Sequence, residues 1–334
     1  MAIKQQTPKF WQKQTMPARL LWPLSKLYGL ISHRSLQQKA QKAQKLPKPT
    51  IVIGNINVGG TGKTPATIAL TQALQARELK VAILSRGFGR NTQELTIAST
   101  KLTALEMGDE PYLIYQKTEA PMAIYHNRYE AGMALLAQNP HIDCFICDDA
   151  LQHRQLARDI EIALIGQQGF GNGYLLPAGP LREPIERLQT VDYIWANGAD
   201  EETIHHLEQA MNTPIIELKA TLQDPRSLYT REILPFNEWQ TTPFTAIAGI
   251  AHPENFYQML EAKGLQFTTR SYPDHYALTE TDLADITTPI LMTEKDASKC
   301  LHFKREDLWS VPLEMTLPEP LVDKIIDKIS AKSS

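Results

Sequence analysis

The sequence has 334 residues, of which 43% are hydrophobic and 21% charged, and its formal net charge is only −3. This composition is ordinary for a globular protein, and the length exceeds the size at which one hydrophobic core usually stops growing, so we expect two domains. The three cysteines, Cys144, Cys147 and Cys300, are too few and too unevenly spaced for a disulfide framework, and no apolar run of about 18 residues predicts a transmembrane helix.

Residues 1–45 form a basic N-terminal segment, because no acidic residue precedes Glu78. The basic residues up to position 48 are Lys4, Lys9, Lys13, Arg19, Lys26, Arg34, Lys39, Lys42, Lys45 and Lys48. Charge of one sign indicates contact with an anionic surface, either a membrane or a nucleic acid. Prolines and basic residues interrupt the apolar stretch of this segment, so we do not expect a cleaved signal peptide.

Pro23 predicts the start of a helix in this segment, since proline breaks a helix interior but is tolerated in the first turn. The helix then carries an apolar stripe at helical spacing, which consists of Leu24, Leu27, Tyr28 and Ile31. Two interpretations are open. The stripe packs on the core of the protein, or it anchors the chain at a lipid interface, with Trp11 and Trp22 at headgroup depth and the lysines on anionic lipid.

A glycine-rich turn at residues 54–65 follows a predicted strand (residues 50–53) and precedes a predicted helix (residues 64–75). This order predicts a P-loop, in which backbone N–H groups bind phosphate, Lys63 reaches the β- and γ-phosphates, and Thr64 is a ligand of Mg²⁺. The predicted phosphate-binding residues are Asn57, Val58, Gly59, Gly60, Thr61, Gly62, Lys63 and Thr64. Asn57 stands where the strict pattern has glycine, so the loop is closer to the variant in dethiobiotin synthetase and partitioning ATPases.

Alternating strands and helices continue along the chain. Predicted strands lie at residues 80–85, 122–125, 144–147, 160–165 and 191–195, and helical patterns at 111–116 and 128–138; the second half has strands at 244–248, 268–272 and 289–293 and helices at 253–263 and 321–329. Repeated βα units predict an α/β fold with a doubly wound, mostly parallel sheet of the P-loop NTPase type. We expect residues 1–45 to join the first domain, 46–230 to form the P-loop domain, and 231–334 to form a smaller α/β domain that closes over the active site.

Asp148 and Asp149 come directly after the predicted strand at residues 144–147. An acidic pair at this position beside a P-loop predicts a magnesium site, in which one carboxylate holds the ion and the other orients water or Lys63. Cys144 and Cys147 resemble half of a zinc site, but residues three apart on a strand point to opposite faces. We therefore expect these two cysteines to be buried packing residues.

A kinase also needs a base close to the attacking hydroxyl group. The sequence offers Asp109, in the polar turn at residues 108–111, and His275, within residues 273–276. Each residue alone is more often structural, so their selection depends on a family resemblance.

That resemblance depends on an ordered set of motifs. They stand at residues 54–65, 85–87, 108–111, 148–154, 179–184, 274–275 and 293–296. In this order and spacing the set resembles the tetraacyldisaccharide 4'-kinase family, and the match extends from about residue 10 to about residue 330. Two departures are Ala150, where glycine is common in the family, and Phe88, where tyrosine is frequent. Phe88 lacks the hydroxyl group but can still stack.

The resemblance implies a lipid kinase that transfers the γ-phosphate of ATP to the 4'-hydroxyl of a tetraacyldisaccharide 1-phosphate, with Mg²⁺, on the inner face of the bacterial inner membrane. It implies an anionic membrane surface as partner, and neither a nucleic acid nor an obligate protein. Carried over by position, Asp109 is the general base, tuned by His275, and Lys63 and Arg182 act on the phosphates. Asp148, Asp149, Gln152, Glu183 and Thr64 surround the metal, and Glu110, Asn127, Arg128 and Phe88 meet the substrate.

Other classes of P-loop protein fit less well. A GTPase selects guanine with an Asn-Lys-x-Asp motif, and residues 197–200 lack its lysine. A partitioning ATPase carries a second lysine in the loop, where Val58 stands. A nucleic-acid-binding module would use the basic N-terminal segment. The main alternative to the kinase is a P-loop nucleotide-switch ATPase acting at the membrane surface.

Overall fold

The computed structural model describes residues 8–333, so Lys4 and the start of the predicted 1–45 segment lie outside the described residues. The first sheet has eight strands: β1 (Thr50–Gly54), β2 (Val81–Ser85), β3 (Thr96–Ile97), β4 (Met122–Ile124), β5 (Cys144–Cys147), β6 (Ile160–Gly166), β7 (Tyr193–Asn197) and β8 (Ile215–Leu218). Their order in the sheet is β3-β4-β2-β5-β1-β6-β7-β8. The strand β3 pairs antiparallel with β4, and the other neighbours pair in parallel.

Helices cover both faces of this sheet. They are α1 (Met16–Gln41), α2 (Lys63–Gln75), α3 (Ala104–Met107), α4 (Asp109–Thr118), α5 (Arg128–Gln138) and α6 (Glu201–Ala210), with 3₁₀ turns at Lys9–Trp11 and Ile185–Thr190. The predicted doubly wound, mostly parallel fold is therefore confirmed. The prediction of a helix at residues 128–138 is also confirmed by α5, and Asn127 caps its first turn.

A second, five-stranded sheet has the order β10-β14-β13-β11-β12. The remaining strands are β9 (Ala220–Leu222), β10 (Arg226–Ser227), β11 (Thr245–Ala248), β12 (Thr268–Ser271), β13 (Ile290–Thr293), β14 (Leu308–Val311) and β15 (Leu313–Met315). The remaining helices are α7 (Phe236–Trp239), α8 (Pro253–Glu261), α9 (Glu280–Leu283), α10 (Glu294–Ala297) and α11 (Glu319–Ser333). Residues 226–311 form this small unit. The strands β9 and β15 pair as a two-stranded ribbon where the chain leaves the large unit and returns to it.

The last helix corrects the predicted domain boundary. Leu321, Ile325 and Ile329 of α11 are buried in the same apolar cluster as Leu70 and Leu74 of α2. The helix α11 therefore packs on the first sheet, and residues 319–333 belong with the large unit instead of the smaller domain predicted for 231–334. The sequence showed the amphipathic pattern of this helix but not which sheet it would cover.

The strand β5 shows how the first sheet separates its two cores. Cys147 and Phe145 face one apolar cluster, whereas Cys144 and Ile146 face the other. The expected placement of the two cysteines on opposite faces is confirmed. Burial raises the pKa of each thiol to about 12, so both are un-ionised packing residues.

The N-terminal helix differs from the expectation at Pro23, which lies inside α1 and not at its start. The helix continues through the proline because residues 175–182 bind one side of α1 just after it. The buried Ser25 hydroxyl donates to Leu175 O at 2.7 Å and accepts from Ala178 N at 3.0 Å. The hydroxyl of Tyr28 donates to Arg182 O at 3.3 Å. These tertiary hydrogen bonds offset the intrahelical bond that proline cannot donate.

The structure argues against one of the two interpretations of the apolar stripe, its packing on the core of the protein. Leu24, Leu27 and Ile31 are 53%, 54% and 60% exposed, so they do not pack on the core. Tyr28 is half-buried and points to the protein. Within residues 8–333 no helix is both long enough and apolar enough to cross a bilayer.

Candidate active site

The P-loop connects β1 to α2 at the carboxyl edge of the first sheet. Gly59 and Gly62 have φ values of 125° and 88°, in the region that favours glycine. A Cβ atom on Gly62 would lie 2.3 Å from Asn197 Nδ2, which is closer than any real contact. Both backbone conformation and space therefore require glycine at position 62.

Asn197, at the end of β7, supports this loop from the neighbouring strand. Its Nδ2 donates to Thr61 O at 3.3 Å, and its Oδ1 accepts from Ala220 N at 3.2 Å. Asn55 Nδ2 donates to the hydroxyl of Thr61 at 3.1 Å. In the sequence Asn197 belongs to residues 197–200, which lack the lysine of a guanine-recognition motif; its place at the carboxyl end of a parallel strand is the signal for a site residue.

Three charged side chains converge beside the loop. Lys63 Nζ lies 3.8 Å from Asp149 Oδ1, and Arg182 Nη1 lies 3.6 Å from the same oxygen. Asp149 has a φ of 44°, an uncommon value for a residue with a side chain and one that often marks functional sites. The structure thus brings together Lys63, Asp149 and Arg182, which are separated in sequence.

Asp148 points into the interior at the end of β5 and is 2% exposed. Its Oδ1 accepts from the hydroxyl of Thr67 at 3.0 Å. Burial raises the pKa of Asp148 to about 7, and the negative charges of Glu110 and Asp149 add to that effect. Because a buried carboxylate is unstable without a compensating charge, a cation at this position would stabilise the site. Thr67 was missed, although it lies one helical turn after Lys63.

Two other predicted metal residues, Gln152 and Glu183, form a group that Arg182 connects to Asp149. Gln152 Nε2 donates to Glu183 Oε1 at 2.9 Å, and Arg154 and Arg187 each lie 3.6 Å from Glu183 Oε2. Arg182 Nη1 is 3.5 Å from Gln152 Oε1, so it connects the two halves of the predicted set. Among residues 8–333, no three or more His, Cys, Asp and Glu side chains form a ready metal cluster. Mg²⁺ fits such a site, since it usually takes one or two carboxylates together with substrate phosphates.

Glu183 depends on a buried ion network behind it. Both carboxylate oxygens of Glu161 accept from Arg187 Nη2 at 2.7 Å, and Arg158 Nη1 donates to Oε1 at 2.8 Å. Burial acts to raise the pKa of Glu161, but the charge and hydrogen bonds of Arg187, and then those of Arg158, outweigh it and hold the pKa below its ordinary value. This network fixes Arg187 against Glu183.

We expect Glu161→Gln to lower the free energy of unfolding by about 3–5 kcal/mol near pH 7, because the buried Arg187 and the half-buried Arg158 lose the carboxylate that they share. A depressed folded pKa gives stability that is fully present above the ordinary pKa and is lost as pH falls through the lowered value. The difference from wild type should therefore shrink in urea melts at about pH 3. Glu217→Gln, an exposed glutamate on β8, is the control. An equal loss for both variants would contradict the network.

Asp109 and His275 meet across the two units. Asp109 is the first residue of α4, so the predicted turn at 108–111 is corrected to a helix start, with Gly108 as the N-cap at a φ of 93°. His275, with a φ of 60°, places Nδ1 at 3.2 Å from Asp109 Oδ2. Burial acts to raise the pKa of Asp109, but the hydrogen bond from His275 and the charges of Lys299 and Lys295 hold it below its ordinary value. Asp109 is therefore ionised at neutral pH.

Two of the four predicted substrate residues lie beside Asp109 and His275, and the other two make local structural contacts. Phe88 is 66% exposed, with its ring centroid 5.1 Å from that of His275, and Glu110 is half-buried beside Asp109. Asn127 caps α5 by accepting from Tyr129 N and Glu130 N. Arg128 is 2% exposed and donates to backbone carbonyls at 3.2 and 3.3 Å. The structure thus gives Asn127 and Arg128 local structural contacts, and their roles toward substrate stay predictions.

The comparisons with known proteins agree on one family. The sequence pattern of the family Tetraacyldisaccharide-1-P 4'-kinase (LpxK) matches residues 17–330. The chain is 39% identical to tetraacyldisaccharide 4'-kinase of Herminiimonas arsenicoxydans, covering 97% of this chain and 95% of that protein. It is 40% identical to the enzyme of the same name in Pasteurella multocida, with 96% and 97% covered. The crystal structure of the "apo" form of LpxK from Aquifex aeolicus in complex with ATP is similar, with a TM-score of 0.78 and 29% identity over 94% of this chain and 99% of that chain. The chain therefore belongs to the tetraacyldisaccharide-1-P 4'-kinase family.

Proposed function

We propose that this chain transfers the γ-phosphate of ATP to the 4'-hydroxyl of a tetraacyldisaccharide 1-phosphate, a step of lipid A biosynthesis. The names of the relatives support the reaction, and the similar Aquifex aeolicus structure was determined with ATP. The observation that carries the proposal is that Asp109, the first residue of α4, meets His275 of the small unit at 3.2 Å, and that α4 packs against α2, the helix that begins at Lys63. A base for an acceptor hydroxyl thus stands near the phosphate site.

The proposed chemistry uses the residues of both clusters. Backbone N–H groups of the P-loop and Lys63 bind the ATP phosphates, and Arg182 neutralises charge on the transferred group. Thr64 and the pair Asp148 and Asp149, with Gln152 and Glu183 nearby, would hold Mg²⁺, which supplies positive charge to the β- and γ-phosphate oxygens.

The acceptor hydroxyl loses its proton to Asp109 during the transfer. Its oxygen forms the new bond to the γ-phosphorus as the bond to the bridging oxygen of ADP breaks. His275 keeps the carboxylate oriented and ionised, and Glu110 and Phe88 border the place where the sugar binds. The small unit closes over the large unit and brings His275 to Asp109.

We also propose that the helix α1 attaches the chain to an anionic membrane surface, on the inner face of the bacterial inner membrane. Leu20, Leu24, Leu27 and Ile31 are exposed, and Lys26 Nζ lies 5.1 Å from the ring centre of Trp22. An exposed apolar face bordered by lysines fits the headgroup region of anionic lipid. Tyr28, at the edge of this face, donates to Arg182 O, so the attached surface lies next to the site.

We expect Leu24→Ser combined with Leu27→Ser to lower the affinity for vesicles of phosphatidylglycerol by about tenfold or more, since it removes apolar area that the lipid would bury. Cosedimentation measures this binding, with phosphatidylcholine vesicles and an oligonucleotide competitor as comparisons. Ile233→Ser combined with Leu301→Ser is a matched control, because these side chains are similarly exposed on the small unit. Unchanged binding of the Leu24 and Leu27 variant, or displacement by the oligonucleotide, would contradict the membrane proposal.

Phosphate transfer from γ-labelled ATP to detergent-dispersed tetraacyldisaccharide 1-phosphate, with Mg²⁺, tests the kinase proposal. We expect label in the lipid fraction, and its loss in Lys63→Ala. Release of free phosphate without labelled lipid would overturn the kinase and favour the nucleotide-switch ATPase.

A further inference from the structure

His252 of the small unit lies directly over the P-loop of the large unit. It stands between β11 and α8, immediately before Pro253, and it is 6% exposed. A Cβ atom on Gly59 would lie 3.1 Å from His252 Nε2, and one on Gly60 would lie 3.8 Å from His252 Cδ2. The edge of the imidazole ring that carries Nε2 therefore faces the glycine backbone of the loop, with no side chain between them.

Two polar side chains contact the other nitrogen of this ring. His252 Nδ1 lies 3.0 Å from Gln168 Nε2 and 3.3 Å from Glu254 Oε1, and the side chain of Glu254 is 56% exposed. An amide nitrogen can only donate, so in the neutral ring Nδ1 accepts from Gln168 and the proton lies on Nε2. In the protonated ring both nitrogens carry a proton, and Nδ1 donates to Glu254. In each of these two states Nε2 is a donor that faces the P-loop.

A small cavity separates His252 from the loop. Its volume is about 10 Å³, and the large unit lines it with residues 57–61, Gly166 and Gln168. This is about the space of one water molecule, so a phosphate group fits only when His252 and Gly59 move apart. The P-loop backbone would then contact the phosphate from one side and His252 would contact it from the other.

The charge of the cavity wall indicates what a histidine adds there. Residues 57–61, Gly166 and Gln168 are all uncharged, and Lys63 comes after the part of the loop that lines the cavity. Among the described residues that line this cavity, His252 is thus the one that can bring positive charge to a phosphate. In P-loop enzymes the loop backbone and its lysine hold the β- and γ-phosphates, so these are the phosphates within reach of His252.

We propose that His252 is a phosphate-binding residue that the small unit supplies to the P-loop. Its Nε2–H donates to an oxygen of the β- or γ-phosphate of bound ATP, and Gln168 orients the ring through Nδ1. This inference rests on the proposed function, because it takes ATP as the nucleotide. Since Gln168 belongs to the large unit and His252 to the small unit, the hydrogen bond between them forms only when the two units are docked.

Calorimetry of ATP binding to the full chain, with Mg²⁺, tests this contact. His252→Ala should raise the dissociation constant by about 10- to 100-fold, the effect of removing a hydrogen bond to a charged group. His252→Gln places an amide N–H close to the position of Nε2, so it should retain most of the affinity. His302→Ala changes an exposed histidine of the same unit and should bind ATP as wild type does. An unchanged dissociation constant in His252→Ala, or equal losses in His252→Ala and His252→Gln, would overturn the proposal.

A second ligand separates the phosphates from the nucleoside. Tripolyphosphate carries three linked phosphates without adenosine, and it can be titrated with Mg²⁺ against the same variants. We expect His252→Ala to weaken the binding of tripolyphosphate and of ATP by the same factor. A loss for ATP alone would overturn the proposal and assign His252 to the nucleoside. A wild-type protein that binds no tripolyphosphate would also count against it, because phosphate contacts would then carry little of the affinity.

Lipid phosphorylation distinguishes a failure of this inference from a failure of the proposed function. We expect His252→Ala to lower kcat/KM for ATP by at least the factor seen in the dissociation constant. If wild type binds ATP but labels no lipid, the kinase proposal fails, whereas the binding role of His252 still stands. If His252→Ala labels lipid with an unchanged kcat/KM for ATP, the role of His252 fails and the kinase proposal stands.

Discussion

Asp109→Asn is expected to lower kcat by about 10²- to 10⁴-fold, the range that general-base catalysis contributes. The amide has nearly the shape of the carboxylate and can still accept from His275 Nδ1, now 3.2 Å from Asp109 Oδ2. It cannot take the proton of the acceptor hydroxyl. The P-loop is unchanged, so ATP affinity should survive. Steady-state transfer to the lipid measures kcat, and calorimetry measures ATP binding.

The control for this variant is Asp143→Asn. Asp143 is also half-buried, but it lies just before the amino end of β5 and accepts from Lys80 N at 2.8 Å, far from the carboxyl edge of the sheet. It should retain kcat. An unchanged rate in Asp109→Asn would remove the base role. Equal losses in both variants would instead show that any missing carboxylate disturbs the fold.

Lys63→Ala is expected to damage both nucleotide binding and turnover. Removal of one group that stabilises charge in a transition state typically costs about 10²- to 10³-fold in kcat. Asp149 Oδ1, which lies 3.8 Å from Lys63 Nζ, would keep only Arg182, whose Nη1 lies 3.6 Å away. With one of its two cations removed, the carboxylate would repel the ATP phosphates more strongly, so the dissociation constant should rise as well.

Lys80→Ala is the matched control for this variant, since Lys80 is exposed and lies at the amino end of the same sheet. Calorimetry and lipid phosphorylation, measured on the same preparations, separate the two effects. If Lys63→Ala bound ATP as tightly as wild type, Lys63 would not contact the phosphates in the bound state.

The pair of variants also separates the two classes of function. In a kinase, Asp109→Asn blocks transfer to the lipid and leaves ATP binding intact. In a nucleotide-switch ATPase without an acceptor, Asp109→Asn should leave ATP hydrolysis unaffected, because its carboxylate would have no hydroxyl to deprotonate. Lys63→Ala is damaging in both cases, so Asp109 is the more informative position.

The sequence alone determined the local parts of the site. The P-loop, the acidic pair after β5 and the helix Arg128–Gln138 all follow from patterns that span a few residues: a strand before a glycine-rich turn, a turn before a helix, acidic residues directly after a strand, and an apolar periodicity. The class of fold follows as well, because repeated βα units permit few arrangements. Local hydrogen bonds and the alternation of side-chain faces specify these strands, turns and helices independently of how the rest of the chain folds.

Only the tertiary structure decided which distant residues meet. Asp109 and His275 are 166 positions apart, and no periodicity connects them. The exposure of Leu24 and Leu27 depends on which side of α1 binds the loop at residues 175–178, and that side carries Ser25. The placement of α11 depends on its match with the apolar face of α2. Likewise, the sequence places Lys295 in a motif at residues 293–296 but does not indicate which residues it contacts. Its partners Glu110 and His275 are set by the docking of one unit on the other, and side-chain packing between separate sheets is not encoded in any single stretch of chain.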